Sequence, residues 1–216
     1  MNRLPAFIVI FFSVIANGCF GPSVSGSGRV ISQTRDVSGF SNVSLEGIGR
    51  VVIEQGGTES LTVSGDDNLL HYIETDVRGS TLVLGEKSGV RLSPSQDIVF
   101  KVTMRKLNAL DISGSGVAQA SGLQSAKIKI DISGSGEVSA EGVADDLDIN
   151  ISGSGRFRGG SLKSKRTRVD ISGSGSAVVA SSETLNAIVS GSGSIEYIGD
   201  PQLHQDISGS GSIRKR

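Results

Sequence analysis

At 216 residues the chain is long enough for one domain or one elongated repeat array. Thirty glycines, no tryptophan and only 4% aromatic residues argue against a compact mixed core and for thin layers of Ile, Val, Leu and Ala. With 21 basic against 22 acidic residues the formal charge is −1, which leaves no electrostatic footprint for nucleic acid.

Residues 1–18 have the form of a lipoprotein-type export signal. Arg3 supplies a short positive region and residues 4–16 an apolar run of the usual length, too short to span a membrane comfortably. The run ends at Ala16, Asn17, Gly18 and Cys19. Cys19 is the only cysteine, so it has no disulfide partner within the chain. Its position resembles the bacterial lipobox, with Gly18 before it and Ala16 three before it, although Asn17 departs from the small or apolar residue usual there. The resemblance implies lipidation of Cys19 and hence a membrane partner. Each buried acyl methylene contributes about 0.8 kcal/mol, so more than one chain anchors stably. Phe20 stands where retention at the inner membrane would call for aspartate, which implies an outer-membrane lipoprotein facing the periplasm or the outside. Residues 19–29, with Gly21, Pro22 and a Ser/Gly run, read as a flexible tether. Residues 30–216 then form one continuous β domain.

Its first half is irregular. Residues 43–53 alternate apolar and polar side chains and carry Gly47 and Gly49 at their centre. Strand-like runs begin at Glu59, Ser80 and Asp97. Residues 66–77 are the one place with helix-like spacing, at Leu69, Leu70 and Ile73, and read as a short helical turn entering a strand.

From about residue 107 onward one phrase recurs. Asp-Ile-Ser-Gly-Ser-Gly begins at Asp111, Asp131, Asp170 and Asp206, with variants at Asn150 and Ile188. The first serines, Ser113, Ser133, Ser152, Ser172, Ser190 and Ser208, are 20, 19, 20, 18 and 18 residues apart. A period near 19 marks a solenoid whose coils bury against their neighbours a face that none could bury alone. Before each serine stands Ile112, Ile132, Ile151, Ile171, Val189 or Ile207, and two earlier Leu110, Ile130, Ile149, Val169, Ala187 or Gln205; the positions between are polar except Ile188. Strict alternation with β-branched residues is a half-buried strand. The fold class expected is therefore all-β: a parallel β-solenoid, right-handed and β-helix-like, with 18–20 residues per coil. The glycine pairs Gly114 and Gly116, Gly134 and Gly136, Gly153 and Gly155, Gly173 and Gly175, Gly191 and Gly193, and Gly209 and Gly211 are expected to turn the chain at a stacked corner, with serines on its outer side. Six such coils at strand spacing would rise roughly 30 Å. At the C-terminus Arg214, Lys215 and Arg216 are expected to discourage another strand from adding to the open edge.

Residues 37–86 together with the Leu107 to Gly116 entry into the first repeat resemble the family described as putative auto-transporter adhesin, head GIN domain. The resemblance rests on Glu54-Gln55-Gly56 after the first strand pair, on Gly65-Asp66-Asp67-Asn68-Leu69-Leu70 with a following Glu74-Thr75-Asp76-Val77, and on the repeated Ser-Gly-Ser-Gly. It implies a bacterial envelope protein of β-helical build and brings no catalytic residues with it.

The aspartate column invites comparison with calcium sites, since calcium takes six to eight oxygen ligands. Calcium β-rolls, however, repeat every nine residues with aspartate after the glycines. Here Lys129 and Arg168, two residues before Asp131 and Asp170, offer simpler partners, so no metal is expected and nothing implies a cofactor. A carbohydrate-active β-helix enzyme would need convergent carboxylates in a groove. The chain offers His71 and His204, far apart, and an acidic run at Asp145, Asp146 and Asp148 that reads as a solvated bend. An ice-binding hydroxyl face is disfavoured because glycines interrupt the serines. The reading that remains is a non-enzymatic envelope lipoprotein whose solenoid serves adhesion, binding or scaffolding, with glycans or envelope proteins as partners; the alternative is the polysaccharide-active enzyme.

Overall fold

The computed structural model describes residues 23–216; the export signal and Cys19 lie outside the described residues. Strands β1 (Ser23–Ser25), β2 (Val30–Arg35), β3 (Asn42–Gly47), β4 (Arg50–Gln55) and β5 (Ser60–Asp66) precede a short 3-10 turn, Leu70–Tyr72, that runs directly into β6 (Ile73–Arg78). Then come β7 (Thr81–Glu86), β8 (Arg91–Ser93), β9 (Val99–Met104) and β10 (Ala109–Gly114). The regular array follows: β11 (Val117–Gly134), β12 (Glu137–Gly153), β13 (Arg156–Gly173), β14 (Ser176–Gly191), β15 (Ser194–Ile198), β16 (Gln202–Gly209) and β17 (Ser212–Lys215). The fold is a parallel β-solenoid of about five turns.

Alternation is what makes it one. Ile112, Ile132, Ile151, Ile171 and Val189 stack in register as a single inward column, each no more than 1% exposed. Fully burying one such side chain contributes about 1.5–3 kcal/mol, so the column is a continuous adhesive between coils. Each coil approaches the glycine corner along one face, leaves it along a second, and returns through a bend. The ladder stays in register through every Ser-Gly-Ser-Gly corner, whereas register shifts fall at the bend, between Ala120 and Leu123, Ser139 and Glu141, and Gly159 and Lys163. The unequal repeat lengths are absorbed there. Inward serines satisfy the irregular backbone: Ser125 Oγ donates to Leu107 O at 3.0 Å, Ser164 Oγ to Ala180 O at 2.8 Å, and Ser181 Oγ to Thr184 O at 2.9 Å.

The two glycines of a corner serve different ends. Gly134 has φ +110°, a conformation L side chains avoid, and a Cβ there would lie 2.7 Å from Gly114 O. That oxygen accepts the Ser135 N–H at 2.9 Å, and the same bond recurs from Ser154, Ser174, Ser192 and Ser210 to the corner glycine one coil earlier. Gly136 turns nothing; it makes room for a neighbour, since its Cβ would lie 2.6 Å from Ile112 Cγ2.

The first coils are stacked out of chain order. β3 and β4 pair with β10 and β11 on one side, Gly47 opposite Gly114, so residues 42–55 are a genuine degraded copy of the repeat. On their other side lie β7 and β9, which come later in the chain. The chain therefore builds its second coil outward of its first, then returns past it to start the regular array. Antiparallel strands close this end: β6 against β7, β5 against β9, and β2 against β5.

The segment expected to be a free tether is held wherever it is described. Its Ser-Gly-Ser-Gly, residues 25–28, wraps the carboxylate of Asp66 rather than turning a coil. Asp66 is fully buried and accepts Gly28 N at 2.8 Å, Ser95 N at 2.8 Å and Ser95 Oγ at 2.6 Å. Asn68 Nδ2 donates to Ser25 O at 2.8 Å, and β1 pairs in parallel with β8. The bonds at Gly28 and Ser25, those from Ser27 to Asp67 and Asn68, and the strand pair outweigh the flexibility that Gly and Ser would otherwise confer.

Candidate functional site

Parallel register turns each outward position into a row along the solenoid axis. On the approach face one row reads Lys127, Asp146, Arg166 and the next Lys129, Asp148, Arg168, so charge alternates from coil to coil. Asp146 accepts both Nε and Nη2 of Arg166, at 2.6 and 3.0 Å, and Asp145 pairs with Lys165 at 2.8 Å. The hydrogen bond from Arg166 holds Asp146 below the usual carboxylate range. The acidic run thus lies within β12, and β13 answers Asp145 and Asp146, a pairing visible only once the coils are aligned, while Asp148 Oδ1 is buried without a hydrogen-bond partner.

The aspartate column is treated in the same way. Lys129 Nζ lies 2.8 Å from Asp131, Asn150 Nδ2 donates to Asp131 at 2.9 Å, and Arg168 lies 3.4 Å from Asp170. Asp111 differs: burial first, then the nearby charges of Asp131 and Glu46, push its carboxyl up. Among the described residues no three of His, Cys, Asp and Glu form a group that could hold a metal. His71 sits in the 3-10 turn beside the closed end and His204 in β16 at the other.

The departure face carries the most developed concavity. Its central row runs Val52, Gln119, Ser139, Arg158, Val178, Glu196, Arg214 in continuous register. Two hollows of about 350 and 520 Å³ lie along it, one on each side of the shared residues Arg158 and Ser161, and together they outline a groove over several coils. Glu137 lies between Arg158 at 2.6 Å and Arg156 at 3.5 Å, and Glu196 pairs with Arg214 and, at 4.0 Å, Arg216. The Arg214 hydrogen bond, then its charge, hold the Glu196 carboxyl below its ordinary value. A third hollow of about 490 Å³ lies at the bend, between Gln124, Val143, Asp145, Lys163 and Lys165. Nothing in the primary sequence marks the groove, because its row mixes Val, Gln, Ser, Arg and Glu; only the repeat alignment brings those positions together.

The corner glycines stack in two columns on the ridge between these faces, and Cys19 lies outside the described residues. The family model described as "Putative auto-transporter adhesin, head GIN domain" matches residues 39–201. The chain belongs to this family. A similar fold is seen in solved structures. A putative adhesin from Bacteroides fragilis NCTC 9343 is 22% identical and superposes with a TM-score of 0.73, over 89% of this chain and 100% of that one. A putative lipid binding protein from Parabacteroides distasonis ATCC 8503 is 24% identical, with a TM-score of 0.57 over 90% and 99% of the two chains. A putative adhesin from Parabacteroides merdae ATCC 43184 is 20% identical, again with a TM-score of 0.57 over 90% and 99%. At these identities the likeness establishes a shared fold. No match was found among curated proteins.

Proposed function

We propose that this head GIN protein is an exported envelope protein that works by binding, and that the departure-face groove receives an extended polar polymer, a glycan chain above all. One observation carries the reading: Gln119, Ser139 and Arg158 stand on successive coils in one row and, beyond Val178, Glu196 continues it, giving polar contacts in register along the axis. Such a row suits a chain-like ligand held by many modest contacts. The family description, an adhesin head, supports the same class of activity. A polysaccharide-cleaving enzyme fits less well, because a general acid needs a raised carboxyl pKa, whereas Glu196 is held down by arginine.

The sequence position of Cys19 supports anchoring by lipid. Only Phe20, Gly21 and Pro22 separate Cys19 from β1, a reach of about 14 Å fully extended. Because β1 is fixed to the closed end of the solenoid, a lipidated Cys19 would hold that end near the membrane and leave the last coil outermost.

The test is binding of the protein to immobilised envelope and host polysaccharides, unaltered and as Arg158→Ala and Gln119→Ala. Loss of binding with unchanged thermal melting supports the groove; full binding by both variants sinks it. Protease shaving of intact cells, with Cys19→Ala alongside, tests placement. Release of the variant together with shaving of the unaltered protein is expected for a lipid-anchored surface protein, while resistance until the outer membrane is permeabilised would assign it to the periplasm.

A further inference from the structure

The last described coil is built like the others, and among the described residues nothing covers it. β16 pairs only with β14 and β17 only with β15, so among the described residues the outer backbone edge of each has no partner. In the inner coils, Ile112, Ile132, Ile151, Ile171 and Val189 are each covered by the second corner glycine of the next coil, Gly136, Gly155, Gly175, Gly193 and Gly211. Ile207, next in that column, has no such cover and is 40% exposed. The basic residues expected to guard the edge are engaged in ion pairs. Arg214 pairs with Glu196 and Lys215 with Asp200, both on the preceding turn.

An unpaired strand with an uncovered apolar column accepts another strand, and the sequence of β16 indicates which one. Leu203, Gln205 and Ile207 continue the inward positions of Leu185, Ala187 and Val189, while His204 and Asp206 face outward. Laid antiparallel on a second β16 with Gln205 on the two-fold axis, Leu203 meets Ile207 on the inner side. On the outer side His204 meets Asp206, and the two Gln205 side chains face each other. Moving the axis one residue, to Asp206, would set two carboxylates against each other and Leu203 against Gly209. The Gln205-centred register therefore matches apolar with apolar and His204 with Asp206, which the Asp206-centred one does not. Gln205 also interrupts a column that is otherwise Leu110, Ile130, Ile149, Val169 and Ala187; an amide there suits a position that meets its own copy.

We propose that two copies of this protein join tail to tail through antiparallel pairing of their β16 strands about Gln205. The contact is isologous and closes on itself, giving a dimer and not a fibre. It is independent of the groove reading, since it uses the open edge of the last coil.

The test is Gln205→Cys in the otherwise unaltered chain, extracted in detergent from the producing cells' membranes, oxidised and read by non-reducing electrophoresis. Residues directly opposite in an antiparallel pair have Cα atoms about 4.5–5.5 Å apart, within disulfide reach. Cross-linked dimer is expected at about ten times the level in the unaltered chain or in Ser154→Cys on the exposed corner. Adding Asp206→Arg, which sets a cation against His204, should lower the yield, and exchanging His204→Asp with Asp206→His should restore it. These residues are exposed, so melting should stay unchanged and folding is not in question. Yield from Gln205→Cys no higher than from Ser154→Cys, or yield indifferent to Asp206→Arg, overturns the proposal. Head-to-tail association would produce the first of these results.

Discussion

Gly136 lies over Ile112: a Cβ on this glycine would come within 2.6 Å of the isoleucine Cγ2, and the same relation recurs between Gly155 and Ile132 at 2.5 Å. The corner is thus two constraints in series, one on backbone conformation at the first glycine and one on space at the second. Gly136→Ala should therefore destabilise although its backbone is unstrained. Overpacking of this kind costs about 1–3 kcal/mol, and combining it with Ile112→Ala, which removes the clashing Cγ2, should cost less than the sum of the two single changes, as read by denaturant unfolding.

At Gly134 the penalty has another source, and no partner substitution should relieve it. Gly134→Val forces a β-branched side chain into φ +110° and against Gly114 O at 2.7 Å, with a strain of about 1–3 kcal/mol from the backbone alone. Asp131→Ala, which gives up a partly exposed pair with Lys129 and a hydrogen bond from Asn150, should cost about 1 kcal/mol. Equal melting temperatures for the two variants would remove the corner from the account of stability.

These contrasts show why the array was readable in advance and its first end was not. A column such as Leu110, Ile130, Ile149 and Val169 is written into the sequence at a fixed period, because every coil faces the same neighbours. The out-of-order stacking of β7 and β9 outside β3 and β4 depends on which edges the antiparallel strands close, and no local pattern records that choice. Ser-Gly-Ser-Gly itself is ambiguous: at residues 133–136 it turns a coil, while at residues 25–28 it wraps Asp66, a distant acid that only the folded chain supplies. The groove row was illegible for the opposite reason, since outward positions are free to vary and its identity is purely geometric.

The Asp66 clamp predicts an acid-sensitive N-terminal segment. Hydrogen bonds from Ser95, its hydroxyl first, hold the carboxyl below its ordinary value of 3.8, and a hydrogen bond from Ser27 lowers Asp67 likewise. A folded-state pKa below the unfolded one gives stability that is present above the unfolded value and is lost as pH falls through the folded value. Amide exchange at Ser27 and Gly28 should therefore quicken below about pH 4 while the corner amides stay protected. Asp66→Asn should produce the same local release at neutral pH, because its NH₂ would face N–H and O–H donors. Unchanged protection at Gly28 in that variant would remove the clamp.

Phe157 concentrates more of the core than any neighbour in its column. It is fully buried between Val138 and Ala177 in register, in a row where the flanking coils carry only small side chains. Gly159, two residues on, leaves the ring its room: a Cβ there would lie 2.2 Å from Phe157 Cε1. Phe157→Ala should cost about 3–5 kcal/mol, since the strands on either side are tied by their ladders and cannot collapse into the space. Gly159→Ala alone should also destabilise, by steric conflict with the ring. Combined, the two changes should cost clearly less than their sum, because removing the ring removes the clash. A double-mutant cycle on equilibrium unfolding measures that coupling directly, and strict additivity would mean that the ring does not occupy the space Gly159 leaves open.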